Sequence, residues 1–154
     1  MCGQVLRDWY DETKVIYCFQ DHIDLDGIRF EQCVQRIVNL LPNCRITISS
    51  DYETAISPEA PATQAARIRE LVGVDSDEVT VQELMAILPY VRFGPDSLIE
   101  LKCEKANIRV INVDGYAIEI EANPIQIEEK IHTSLDCQTF DTLEALQKSF
   151  KPIR

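Results

Sequence analysis

Apolar residues recur along this chain with two different periods. In "GIRFEQCVQRIVNLL" (27–41), Ile28, Phe30, Cys33, Val34, Ile37, Val38 and Leu41 return at steps of three and four. That spacing lines one face of a helix. Asp24 or Asp26 is placed to cap its start, and Pro42 to stop it. Further on the period is two. Ile99, Leu101 and Cys103 alternate with Glu100, Lys102 and Glu104, and Tyr116, Ile118 and Ile120 alternate with Ala117, Glu119 and Glu121. Between "IRVINV" and "YAIEIE" lies Asp114-Gly115, a pair suited to a type I′ turn. The pattern predicts a three-stranded antiparallel meander with one solvated face and an edge that could accept a partner.

The remaining elements follow from the same signals. "KVIYCFQ" (14–20) and "CRITISS" (44–50) read as strands, and the Pro-containing stretch 51–64 reads mainly as a loop. "ATQAARIRELVG" predicts a helix with Gly73 as a left-handed C-cap, followed by a polar connector to Val79. Thr80 and Glu83 form a capping-box pattern ahead of "VQELMAIL", and Pro89 ends or bends that helix. Asn123 with Pro124 and Gln126, and Asp141 with Glu144, predict the starts of two more helices. The order β-α-β-α-α-β-β-β-α-α indicates a single α+β domain over 1–154. Its expected form is a mainly antiparallel sheet with helices packed on one face, a two-layer sandwich.

Composition narrows the functional classes. With 45% hydrophobic residues the chain can build a core, and its net charge of −11 repels phosphate backbones and anionic membranes. Nucleic-acid and membrane partners are therefore not expected, whereas a basic protein partner is compatible. No run approaches the roughly 20 apolar residues that span a bilayer, and "MCGQVLRDWYDETK" lacks the apolar centre of a secretory signal. A cytoplasmic location is the expectation. Reduced thiols follow from it: Cys18, Cys33, Cys44 and Cys103 lie among apolar neighbours as core residues, while Cys2 and Cys137 fall outside clear core patterns.

The catalytic and metal motifs fail on their own chemistry. Cys2 would become an N-terminal nucleophile if Met1 were removed, as in glutamine amidotransferases. Those begin with a glycine-rich apolar strand, and "QVLRDWYDE" is mostly polar. "DHIDLDG" has the outline of a calcium loop, but the first ligand would be His22 and the twelfth Cys33. His22 and His132 have no ligand or nucleophile at a useful spacing, and no nucleotide-binding glycine motif occurs. No metal or cofactor is expected.

Two blocks of the chain resemble the HPr-like phosphocarrier family. In that family a strand precedes Gly-x-His-x-Arg-Pro at the mouth of a helix. Here Lys14–Gln20 precedes Gly27-Ile28-Arg29-Phe30-Glu31-Gln32, and "CRITISS" follows. A later helix, glycine turn and strand match "QELMAIL", "FGPDS" and "LIELKCE". The resemblance implies an HPr-like core over 14–104 with an insertion at 50–79, and hairpin strands and C-terminal helices over 105–154. It places Arg29 where the family has its phosphorylatable histidine. Glu31 and Gln32 stand for its arginine and proline, and Glu83 for its regulatory serine. What it implies is a binding scaffold without phosphoryl transfer.

The leading expectation is a non-enzymatic, small acidic protein that acts by protein–protein binding as an adaptor, regulator or inhibitor. Glu100, Glu119 and Glu121 would face the partner. A second expectation is an anion or small-ligand site at the helix mouth, with Arg29 as the charge and the amides of Arg29 and Phe30 as donors. A third is a thiol-based sensor using Cys2 or Cys137.

Overall fold

Asp114 and Gly115 both take positive φ, 50° and 80°, as the turn prediction requires. They join β7 (Asn107–Val113) to β8 (Ala117–Asn123). Tyr116 adds one residue to the loop, so Val113 lies opposite Ala117. The computed structural model describes residues 14–20, 27–41, 43–104, 106–123 and 125–149. Within them β6 (Leu98–Lys102), β7 and β8 form the expected antiparallel meander.

The meander has no open edge. It sits in a six-stranded antiparallel sheet, flanked by β1 (Lys14–Phe19) beside β8 and by β2 (Arg45–Ser49) beside β6. β4 (Asp77–Val79) extends the sheet beyond β2. The edge proposed from sequence for a partner strand is therefore already paired. β1 in turn exchanges backbone hydrogen bonds with Phe140, Tyr17 N to Phe140 O at 2.8 Å and Phe140 N to Tyr17 O at 2.7 Å.

Alternation sorts the residues onto two faces. Ile16, Cys18, Ile46, Ile48, Ile99, Leu101, Ile108, Val110, Ile118 and Ile120 point to one buried cluster. Covering them are α1 (Phe30–Leu40), α2 (Ala62–Leu71), α3 (Val81–Ile87) with its 3-10 turn Leu88–Tyr90, and α4 (Ile125–Leu135). This is the expected α+β arrangement. α5 (Leu143–Ser149) adds a smaller cluster on the opposite face, where Leu146 packs with Phe19 and Ala117.

Helix starts show where local signals were overruled. The Thr80–Glu83 capping box forms in both directions, and Gly73 takes φ 73° after α2. α1, however, begins only at Phe30, with Arg29 at the N-cap and no side-chain cap. The reason is β1: Gly27 bridges Phe19, and Ile28 N donates to Phe19 O at 3.0 Å. The chain cannot turn into a helix until that pairing ends. Gly27 is required there, since a Cβ would lie 2.7 Å from Phe19 O. The caps expected at Asp24 or Asp26 lie outside the described residues. Asn123 remains in β8 opposite Asn107, so α4 starts after it. In α5 the cap is Thr142, whose Oγ1 accepts from Ala145 N at 3.0 Å, while Asp141 pairs with Lys14 at 3.3 Å.

The predicted loop holds one short strand, β3 (Ala55–Ile56), and the connector holds β4; β3 pairs with a third, β5 (Val91–Arg92), just after Pro89. Two or three residues are too few to show a period, so only their partners define them. One expectation about cysteine is corrected. Cys44 and Cys103 are joined in a disulfide across β2 and β6, one step beyond the Arg45–Lys102 pair, with Cα atoms 4.4 Å apart. Strand pairing creates that proximity, and their separation of 59 residues gives no hint of it. Cys18 and Cys33 are buried thiols, as expected.

Candidate functional site

After β5 the chain must pass Phe93 and Gly94 to reach β6 without a sheet ladder to satisfy its backbone. Three buried side chains do so instead. Phe93 N donates to Glu31 Oε2 at 2.8 Å, and Gly94 N donates to Thr54 Oγ1 at 3.1 Å. Asn112 Nδ2 donates to the carbonyls of Phe93 and Gly94, at 3.2 and 3.1 Å. Asn112 Oδ1 accepts from Gln20 Nε2 and Gly115 N, at 2.9 and 3.0 Å. Most of these bonds reach the corner from distant parts of the chain, while Ser97 N also donates to Gly94 O at 3.3 Å from three residues on. Gly94 lies close under the loop before β3: a Cβ there would sit 3.0 Å from Thr54 N.

The corner separates two clefts. One, of about 280 Å³, lies between Arg29, residues 55–57 at β3 and residues 89–92. The other, of about 270 Å³, is bordered by Gln20, Glu53, Gly94 and Asn112. Arg92 lines both.

Arg29 enters the first cleft from the N-cap of α1. Its Nη2 is 3.4 Å from Glu31 Oε1, and its Nε is buried without a hydrogen-bond partner among the described residues. Glu31 is 5% exposed and already accepts from Phe93 with its other oxygen. Arg29 is thus the counter-charge that makes burial of Glu31 tolerable, with part of its donor fork still unfilled. The Phe30 side chain is fully buried, edge-to-face against Phe93 at 5.8 Å. It braces the corner, and only its backbone could reach a ligand.

Glu100, Glu119 and Glu121 share the outer face of the meander. Glu100, Arg109 and Glu121 are consecutive cross-strand partners, and Arg109 lies 3.9 Å from Glu100 and 3.3 Å from Glu121. Lys102 lies 3.8 Å from Glu100, and Tyr17 donates its hydroxyl to Glu119 at 2.9 Å. Partial burial raises the Glu121 carboxyl above the usual range; Arg109 opposes this, and neighbouring Glu119 adds to it. Burial, with the hydrogen bond to and charge of Glu119, pushes the Tyr17 phenol up to about 12.

His132 is exposed, with Nδ1 3.0 Å from Thr139 Oγ1. Among the described residues no group of three or more His, Cys, Asp or Glu side chains is placed to hold a metal ion, and no helix is long and apolar enough to cross a membrane. His22 and Cys2 lie outside the described residues.

Sequence reasoning found Arg29 and missed the network behind it. The signals were present. Glu31 shares the inward stripe of α1 with Val34 and Val38, and Asn112 follows Ile108 and Val110 at an inward position of β7. A polar residue on a buried stripe needs a partner. No family model, no curated protein and no solved structure matches this chain.

Proposed function

We propose that this is a binding protein whose ligand carries an anionic group, held by Arg29 in the cleft between α1 and the β3–β5 ribbon. The observation that carries this reading is that Arg29 lines a cleft of about 280 Å³ while its buried Nε has no hydrogen-bond partner among the described residues. A guanidinium with an unfilled donor offers a directional bond to a carboxylate or phosphate oxygen. Glu31 favours discrimination, since it repels an anion that approaches too deeply. Thermal-shift measurements with phosphate, sulfate and simple carboxylates test the idea. Wild type should be stabilised in a dose-dependent way. Arg29→Lys, which keeps a charge for Glu31 and loses the fork, should weaken the response at least severalfold. A wild-type protein indifferent to the whole panel would refute the proposal.

A second reading is an adaptor, regulator or inhibitor that docks a basic protein on Glu100, Glu119 and Glu121. It is supported by the Glu119–Glu121 pair, which Arg109 and Tyr17 only partly offset: a cation from a partner would relieve the raised Glu121 carboxyl. Binding of an oligolysine peptide that weakens with salt and with Glu119→Gln/Glu121→Gln is the expected result. Equal binding by wild type and the double variant would remove it.

A further inference from the structure

Three thiols from separate elements meet at the β1 edge. Cys18 on β1 and Cys33 on α1 are both fully buried, and Cys137 follows α4 and packs against the same cluster. The Cys18 and Cys137 side chains are hydrogen-bonded to each other. Cys33 lies near enough to feel a charge on Cys137.

The segment bearing Cys137 is held in place from several sides. Arg36 of α1 donates to the carbonyl oxygens of Ser134, at 3.3 Å, and Leu135, which ties down the end of α4. Asp136 then takes φ 52°, turning the chain. Three residues after Cys137, Phe140 is backbone-bonded to Tyr17 and stacks edge-on against Phe19 at 5.5 Å. Tyr17 and Phe19 are the two neighbours of Cys18. Residues 137–140 therefore wrap the β1 edge, with Cys137 on the inner side and Phe140 on the outer.

Access differs sharply within the trio. Cys137 is half-buried and lines an open cleft of about 440 Å³ with His132, Asp136 and Gln138. The Cys18 thiol is pushed well up, first by its hydrogen bond with Cys137 and then by burial, and burial raises the Cys33 thiol. The contact with Cys137 and burial thus favour the protonated Cys18 thiol, and Cys137 is the sulfur of the trio that solvent reaches.

We propose that Cys137 is an oxidant-reactive thiol for hydroperoxides, with Cys18 as its resolving partner. The Cys137 thiolate attacks a peroxide oxygen. The O–O bond breaks, an S–O bond forms, and the departing oxygen takes a proton to leave as water when the oxidant is hydrogen peroxide. The Cys18 sulfur then attacks Cys137 Sγ. The S–O bond breaks, an S–S bond forms, and the hydroxyl leaves with the Cys18 proton as a second water. Two thiols and one hydrogen peroxide give one disulfide and two waters; the sulfurs lose the two electrons that reduce the peroxide.

The test uses the full chain, treated with hydrogen peroxide, alkylated, digested and mapped by mass spectrometry. A Cys18–Cys137 cross-link should appear, separate from Cys44–Cys103, and should vanish in Cys137→Ser. Cys18→Ala should stop at a dimedone-reactive sulfenic acid on Cys137, and Cys33→Ala should leave the cross-link intact. The wild-type map decides alone if a core variant does not fold. An unmodified Cys137, a stable sulfenic acid in wild type, or pairing of Cys137 with Cys2 or Cys33 would each overturn the assignment.

Discussion

The meander and the Phe93–Gly94 corner adjoin in space but are held by different forces. In the meander, backbone ladders run unbroken from β6 through β8, and isoleucine, leucine and valine side chains bury one face. In the corner, backbone groups lie outside any ladder and depend on Glu31, Thr54 and Asn112. Loss of one apolar side chain leaves a void that neighbours partly fill. Loss of a corner side chain instead leaves a buried backbone group short of its partner, Phe93 N without Glu31, Gly94 N without Thr54 and the Phe93 carbonyl without Asn112. Asn112 belongs to both regions: its backbone pairs with Ile118 on β8, and its side chain crosses to the corner.

Four measurements press on that contrast. The largest effect is expected on the sheet, from replacing Cys44 and Cys103 with serine. Closing a loop of 59 residues should contribute about 4 kcal/mol by chain entropy, seen as a drop in denaturation midpoint that reduction reproduces. Ile120→Ala should cost about 3 kcal/mol and lower the melting temperature by about 10 °C. Hydrogen exchange at Phe93 and Gly94 should then change only as much as global stability does. Asn112→Ala should cost about 2 kcal/mol through the unpaired Phe93 carbonyl, a smaller global loss. Here exchange at the Gly94 and Gly115 amides should rise well beyond the global effect, and uniform exchange would mean the corner is not a separate unit.

The smallest effect is on the outer face and depends on pH. The Tyr17 phenol is about 12 in the fold against an ordinary value of 10.0. The folded protein therefore holds a proton that the unfolded chain releases, and stability should fall as pH rises from about 10 through 12. Tyr17→Phe should flatten that limb of the stability profile; an unchanged slope would show that Glu119 does not hold the phenol.

Legibility followed the range of the interactions. The Asp114-Gly115 turn, the Thr80–Glu83 box, the Gly73 cap and the stripe of α1 depend on neighbours within four residues, and each was readable from the chain. The β3–β5 ribbon and β4 were not, because their short strands exist only as partners to remote segments. The start of α1 was misplaced because β1 claims Gly27 and Ile28 before the helix can form. Arg29 was legible as a charge at a helix mouth. Its role as counter-charge to a buried Glu31, and its place in a cleft roofed by β3 and β5, required segments more than 20 residues away.

What the sequence determined by itself is the local grammar: which stretches are helices and strands, which faces are apolar, and which turn residues end them. Those properties arise from periodicity and backbone preference, which act over a few residues. Only the tertiary structure decided that the meander is enclosed, that Cys44 meets Cys103, that Cys18 meets Cys137, and that Glu31, Thr54 and Asn112 converge on one corner. Such contacts depend on the register of strands distant in sequence. Register is selected by burying whole faces at once, so no single segment encodes it.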